Sequence, residues 1–192
     1  MLRREDGATM YIWQGSNVRL RPIEPEDWEL FHDNDLDSEG ARAADAVYFP
    51  RSEEGTRRWA EKKAEEEPQG DNISLAIETR EGELVGSMDA HHCEPRDGSF
   101  RYGIALFRPH WRRGYASEAV RLLLRYYFHE LRYEKATAHV YAFNEPSMRF
   151  QEALGFRLEA RLREQIFTNG RRHDELIYGM LRREFDARFE EA

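Results

Sequence analysis

Apolar and polar positions divide the chain into short alternating stretches and longer stretches with helical spacing. The most regular helical stretch is Ala116 to Leu131, where Ala116, Ala119, Val120, Leu123, Leu124, Tyr127, Phe128 and Leu131 form one apolar stripe. Arg121, Arg125 and His129 lie off that stripe, and no glycine or proline interrupts it. Lys135 to Ala142 alternates like a strand, with Ala136, Ala138 and Val140 on one face and Thr137, His139 and Tyr141 on the other. Phe100 to Phe107 predicts the strand before the helix, and Trp111-Arg112-Arg113-Gly114-Tyr115-Ala116 joins the two. Strand, glycine loop, helix and strand predict a βαβ unit.

The remaining pattern fits around that unit. Val18 to Pro22 predicts a strand, and Pro25 to Phe31 a helix with proline and acids in its first turn. His32 to Tyr48 has little periodicity. Ser52-Glu53-Glu54 opens a charged helix that runs to Glu67 and stops at Pro68-Gln69-Gly70. Ser74 to Glu78 and Leu84 to His91 predict strands, with turns at Arg80-Glu81-Gly82 and at Pro95 to Gly98. Pro146 to Leu154 predicts a short helix stopped by Gly155. Thr168-Asn169-Gly170 signals a hairpin between Phe156 to Phe167 and Arg172 to Leu181, and Arg182 to Glu191 predicts a last short helix. The order implies one α+β domain over residues 1–192 with a mixed sheet, preceded by a flexible extension over residues 1–15.

Composition narrows the class. A chain of 192 residues with 40% hydrophobic and 12% aromatic residues can bury a core. No apolar run approaches the ~20 residues of a membrane span, and Met1 to Asp6 lacks the apolar stretch of a signal peptide. The lone Cys93 cannot make an internal disulfide. Together these point to a soluble cytoplasmic protein with no membrane partner. A net charge of −8 disfavours a nucleic-acid binder. His91-His92-Cys93 suggests a metal, but neighbours in a strand point to opposite faces, so no metal site is expected.

The glycine loop carries candidate chemistry. Gly114 lets the backbone turn tightly, so that several N–H groups can point at one spot at the positive end of the next helix. Such a site holds a phosphate or pyrophosphate without a lysine. Arg101, Arg108, Arg112, Arg113, Arg121 and Arg125 surround the loop, either as solvated surface or as attraction for a polyanion. The acids Asp33, Asp35, Asp37 and Glu39 are either a solvated loop or a site for a polyamine or cationic peptide.

Arg113-Gly114-Tyr115-Ala116-Ser117-Glu118-Ala119, followed one helix and one strand later by Asn144 to Phe156, resembles the GNAT superfamily of acyl-CoA N-acetyltransferases. The Arg113 to Ala119 stretch is similar to that family's pyrophosphate loop. The Asn144 to Phe156 stretch is similar to its Asn-x-x-Ser segment and to the Leu-Gly-Phe end of the next helix. The resemblance runs from Val18 to Leu181 and is strongest to the RimJ/RimL-like and spermidine-acetyltransferase branches. It implies a GNAT-like fold, a mostly antiparallel sheet splayed at a bulge beside one parallel strand pair and flanked by helices. It also implies acetyl-CoA as co-substrate and direct attack on the thioester by a primary amine, whether a protein N-terminus, a polyamine or another small amine. Homodimers are common in that branch.

The same resemblance assigns the site. The backbone of Arg112, Arg113, Gly114, Tyr115, Ala116 and Ser117 would hold the pyrophosphate, and Ile104, Ala105 and Leu106 would meet the pantetheine amides. Asn144 and Ser147 would contact the cofactor or brace the cleft, or they only cap the helix. Two positions depart from the family pattern. Gln151 stands where many members have a tyrosine acid, and an amide supplies no proton near neutral pH. Arg101 stands where an acid is common. Ser147 or a water is then the proton donor, or the thiolate leaves unassisted. His91, His92, Glu94 and Glu164 are base candidates beside a water relay, with Ser147 and Glu164 carried forward as the catalytic pair. These departures also leave open a CoA-binding sensor or scaffold that has lost catalysis.

Overall fold

The computed structural model describes residues 11–190. Seven strands form one sheet in the order β1-β2-β3-β4-β5-β7-β6. They are β1 (Val18–Arg21), β2 (Ile73–Thr79), β3 (Leu84–Glu94), β4 (Ser99–Leu106), β5 (Lys135–Tyr141), β6 (Arg157–Thr168) and β7 (Arg171–Leu181). Among the described residues only β4 and β5 run parallel; the other neighbours are antiparallel. The helices are α1 (Trp28–Asp35), α2 (Ser38–Ala44), α3 (Glu53–Glu65), α4 (Tyr115–Arg125), α5 (Glu145–Leu154) and α6 (Arg182–Phe189). None is long and apolar enough to cross a membrane.

The register gives the sheet two unlike faces. Leu75, Met88, Phe100, Tyr102, Ala136 and Met180 share the first and pack against Leu123, Tyr127 and Phe128 of the α4 region, Leu154 of α5 and Phe185 of α6. The opposite face carries Ser74, Ser87, Asp89, His91, Arg101, Thr137 and His139. Only part of that face is sealed, where Phe31 of α1 and the half-buried Trp59 of α3 pack with Ala76 and Phe107. A sheet with one greasy and one polar face leaves room for a site on the polar side.

Three expectations change. The helix predicted over Ala116 to Leu131 is α-helical only to Arg125, and Tyr126–Glu130 form a widened turn in which the Leu131 N–H reaches the Tyr126 carbonyl. The widening lets three successive aromatic residues find partners: Tyr126 meets Trp13, Tyr127 stacks on Phe100, and Phe128 meets Phe100 and Phe185. The stretch without periodicity contains α2, a seven-residue helix of small and polar residues with no apolar stripe to announce it. Its start is fixed by Asp37, which accepts from the Gly40 N–H at 3.0 Å. Residues 1–10 of the expected flexible extension lie outside the described residues, and Tyr11 to Gly15 are tied down. Trp13 packs on Tyr126 at 4.3 Å and accepts the Leu20 N–H through its carbonyl. Beyond them, the buried Glu118 carboxylate accepts from the backbone of Ser16 and from both the backbone and side chain of Asn17.

Candidate active site

The parallel strands part almost at once. β4 and β5 pair at Ser99–Lys135, Phe100–Ala136 and Arg101–Thr137. Beyond Arg101, β4 continues to Leu106 bound only to β3, and beyond Thr137, β5 continues to Tyr141 bound only to β7. The result is a fork that opens toward the C-terminal ends of both strands. The splay is expected at a bulge, but β4 keeps a regular register with β3 from Arg101 to Leu106. The bulge lies instead on β3 between His91 and Glu94, where His92 has φ 48°. That bulge also breaks the alternation expected of His91 and His92, so their rings approach to 5.1 Å.

The three β4 residues expected to meet pantetheine are not equivalent. The Phe107 N–H bonds the Val85 carbonyl, so by the alternation of an antiparallel ladder Ala105 spends its polar groups on Ser87 of β3. Ile104 and Leu106 turn theirs toward the fork. The Leu106 carbonyl accepts Trp111 Nε1 at 2.8 Å, leaving its N–H.

The loop at the top of the fork matches its sequence signature. Arg112 and Gly114 take left-handed φ values of 61° and 83°, and Gly114 precedes the first turn of α4. The Glu118 N–H bonds the Gly114 carbonyl at 3.2 Å. Among the described residues, no partner occupies the backbone N–H groups of Arg112, Arg113, Gly114, Tyr115, Ala116 or Ser117. A turn with unspent donors at a helix N-terminus is an arrangement that can hold an anion. Of the six arginines around it, Arg108 pairs with Asp37, Arg125 pairs with Glu190, and Arg121 lies over Phe189. Arg112 and Arg113 remain beside the loop, and Arg101 lies at the base of the fork.

Asn144 caps α5 three residues past the end of β5, and Ser147 lies in the first turn of that helix. Asn144 Oδ1 accepts the Ser147 N–H at 3.1 Å, and Asn144 Nδ2 donates to the Ala43 carbonyl of α2 at 3.0 Å. Asn144 thus caps α5 with one polar end of its amide and holds the last turn of α2 with the other. The Ser147 hydroxyl stays half-buried in the first turn. Arg108, just past β4, grips Asp37 at the other end of α2. The short helix thus spans the mouth of the fork, tied to the chain just beyond each strand.

The family's tyrosine position behaves differently here. Gln151 is buried, and its Oε1 accepts the Tyr102 hydroxyl at 2.6 Å. Burial pushes the Tyr102 phenol well above its ordinary range. Glu164 is corrected as well. It sits exposed in a bulge of β6, with φ 53°, and β7 and β5 lie between it and the fork. There its N–H only caps Asp174, at 2.9 Å. Glu94 is exposed at the far end of β3. Part of the acidic run is also engaged, since Asp35 pairs with Arg51 and Asp37 and Glu39 pair with Arg108.

The polar face carries two carboxylate–imidazole pairs beside the fork. On β3, Asp89 bonds His91 Nδ1. Asp89 leans over Gly103, where a Cβ would lie 2.8 Å from its Oδ1, so glycine is what leaves that carboxylate its place. Across the fork, His139 Nδ1 of β5 meets Glu175 Oε1 of β7 at 3.0 Å. The sequence alone marks none of Asp89, His139 and Glu175 as a site residue. His139 lies on the polar face of its strand by alternation, but only the β5–β7 register brings Glu175 to it. Beside β2 and β3 the polar face holds a hollow of about 610 Å³ lined by Trp59, Glu66, Glu67, Ser87, Asp89 and His91, among others.

Comparison with known proteins bears on the family and the fold. Residues 17–157 match the acetyltransferase (GNAT) domain family. The chain belongs to the GNAT family. It is 39% identical over 174 residues to the SPbeta prophage-derived uncharacterized N-acetyltransferase YokL of Bacillus subtilis (strain 168), covering 91% of this chain and 95% of that one. A GNAT-family acetyltransferase from Bacillus anthracis superposes with a TM-score of 0.74 at 26% identity, covering 88% of this chain and 98% of that one. A spermidine N-acetyltransferase from Vibrio cholerae, solved with CoA and spermine, shares the fold with a TM-score of 0.76 at 22% identity, over 89% of this chain and 99% of that one. This GNAT chain is an N-acetyltransferase, and GNAT enzymes draw their acetyl group from acetyl-CoA.

Proposed function

We propose that the protein transfers the acetyl group of acetyl-CoA to a primary amine by direct attack on the thioester. The observation that carries this reading is the fork between β4 and β5, with a loop of unspent N–H groups at its open end. The pyrophosphate sits on the backbone of Arg112 to Ser117. The pantetheine arm lies in the fork against the polar groups of Ile104 and Leu106. A thioester delivered down the fork emerges at the polar face, where the amine approaches. In-line positioning of the two reactants supplies much of the rate, up to roughly 7–11 kcal/mol in the best intramolecular cases.

The acceptor is cationic before it loses its proton. Glu66, Glu67 and Asp89 in the hollow, and Glu175 on β7, give the polar face an acidic rim that suits such an amine. The class spans polyamines, peptide N-termini and other small amines.

Thermal unfolding with and without acetyl-CoA, with NADH and ATP as controls, tests the cofactor. A ligand that binds only the folded state raises the midpoint. A rise with acetyl-CoA alone, followed by thiol release when an amine panel is added, supports the reading. No rise at saturating acetyl-CoA overturns it.

A further inference from the structure

We infer that His139 is the base that takes the proton of the attacking amine, and that Glu175 holds it in place. The inference rests on the acetyl-CoA reading above.

His139 stands at the fork itself. Thr137 is the last β5 residue paired with β4. Ala138 turns to the buried face, so His139 is the first side chain above the base of the fork that projects from β5 on the polar face. Its side chain is 24% exposed and that of Glu175 only 13%. Glu175 sits on β7 opposite Tyr141, one diagonal step from His139.

The contact selects between the two neutral tautomers. Against the acceptor oxygens of a carboxylate, the neutral ring that fits is the one whose Nδ1 donates to Glu175 Oε1 across 3.0 Å. Nε2 is then left with its lone pair free, as a general base requires. The Asp89–His91 pair lacks this position. It belongs to β3, which β4 separates from the fork, and both side chains are more than 40% exposed. That pair instead places a carboxylate over Gly103, where it attracts a cationic amine.

The step balances without another reactant. The amine nitrogen forms a bond to the thioester carbonyl carbon, and its proton moves to His139 Nε2. The carbon–sulfur bond then breaks, the thiolate takes up a proton, and the imidazolium returns its own to solvent. The products are an amide and a free thiol. The charged and titratable groups facing this corner are Glu175 from β7, Arg101 from β4, Asp89 and His91 from β3, and Tyr141 of β5 with Asp45 after α2.

The experiment compares wild type, His139→Ala, Glu175→Gln and the double variant. Acetyl-CoA binding is read by thermal shift, and turnover by thiol release with spermine, spermidine and a peptide bearing a free N-terminus. His139→Ala is expected to keep the acetyl-CoA shift, to lose about 10²–10⁴-fold in kcat, and to regain activity when imidazole is added. Glu175→Gln should lower kcat with little change in the KM for acetyl-CoA, and the double variant should be no worse than His139→Ala. A structural role would give no imidazole rescue, and the non-additivity then reports only that the two residues act through one contact. Wild-type turnover with an undiminished His139→Ala rate overturns the inference and leaves the acetyl-CoA reading intact. A wild type that shows no thermal shift with acetyl-CoA overturns the reading and the inference with it.

Discussion

Arg108 donates from Nε and Nη2 to the two carboxylate oxygens of Asp37, each at 2.8 Å, and so fixes the start of α2 to the chain just beyond β4. Asn144 holds the other end of the same helix through the Ala43 carbonyl. Seven residues of small and polar side chains make a poor helix on their own, so the two tethers hold α2 across the fork. Arg108→Ala should speed amide hydrogen exchange over Ser38–Ala44 while leaving the global unfolding midpoint almost unchanged, because the pair is exposed. The Arg108 guanidinium, and then the Gly40 N–H, hold the Asp37 carboxyl below the usual carboxylate range. The tether is therefore complete above that range and is lost as pH falls through the lowered value. Equal exchange rates over α2 in both proteins at neutral pH would show that the helix holds itself.

The open surroundings of Gly114 sharpen another expectation. A Cβ at Gly114 would meet nothing within 4 Å, but its φ is 83°. Gly114→Trp should therefore fold, at a cost of about 1–3 kcal/mol for the left-handed backbone. The indole would cover the free N–H groups, and the thermal shift with acetyl-CoA should vanish. A preserved shift in the variant would place the phosphates elsewhere.

A buried ion cluster anchors β1. Arg21 reaches Asp27 at 2.7 and 2.8 Å and Glu78 at 2.8 Å, with Arg19 also on Glu78. Burial pushes the Glu78 carboxyl up, but the bonds from Arg19 and Arg21 outweigh it and leave the group below its ordinary range. Arg21→Met leaves two buried carboxylates short of a partner and should cost about 3–5 kcal/mol at neutral pH in urea unfolding. A lowered folded pKa stabilises above the unfolded carboxylate range, and that stability is lost as pH falls through the folded value. The gap between wild type and variant should therefore shrink toward acid pH, where protonation also relieves the stranded acids. A gap independent of pH would mean that the cost is packing.

Much of the frame is readable because it is local. The stripe of Ala119, Val120, Leu123 and Leu124, the alternation of Lys135 to Tyr141, the Asn169-Gly170 turn and the Gly114 loop each depend on neighbours within a few residues. What the sequence hides depends on pairing across the chain. Glu164 is as good a base as any other acid until β6 is seen at the sheet edge, and Glu175 has no partner until β7 lies beside β5. The parting of β4 and β5 follows from the family resemblance; no residue in either strand announces it.

Gln151 gives the last test. Its Oε1 accepts the Tyr102 hydroxyl inside the core, where Tyr102 also packs against Phe156 with ring centres 5.6 Å apart. Tyr102→Phe leaves the buried amide oxygen unpaired and should cost about 1–3 kcal/mol, whereas Tyr102→Phe with Gln151→Leu should recover part of that loss. Gln151→Tyr puts back the residue that many relatives use as an acid, but it forces a larger ring into a filled site. That variant should lose about 1–3 kcal/mol to overpacking and gain no turnover, because the side chain points into the core. A Gln151→Tyr protein of unchanged stability and higher kcat would show instead that this face of α5 opens on the fork and that a proton donor was the missing part.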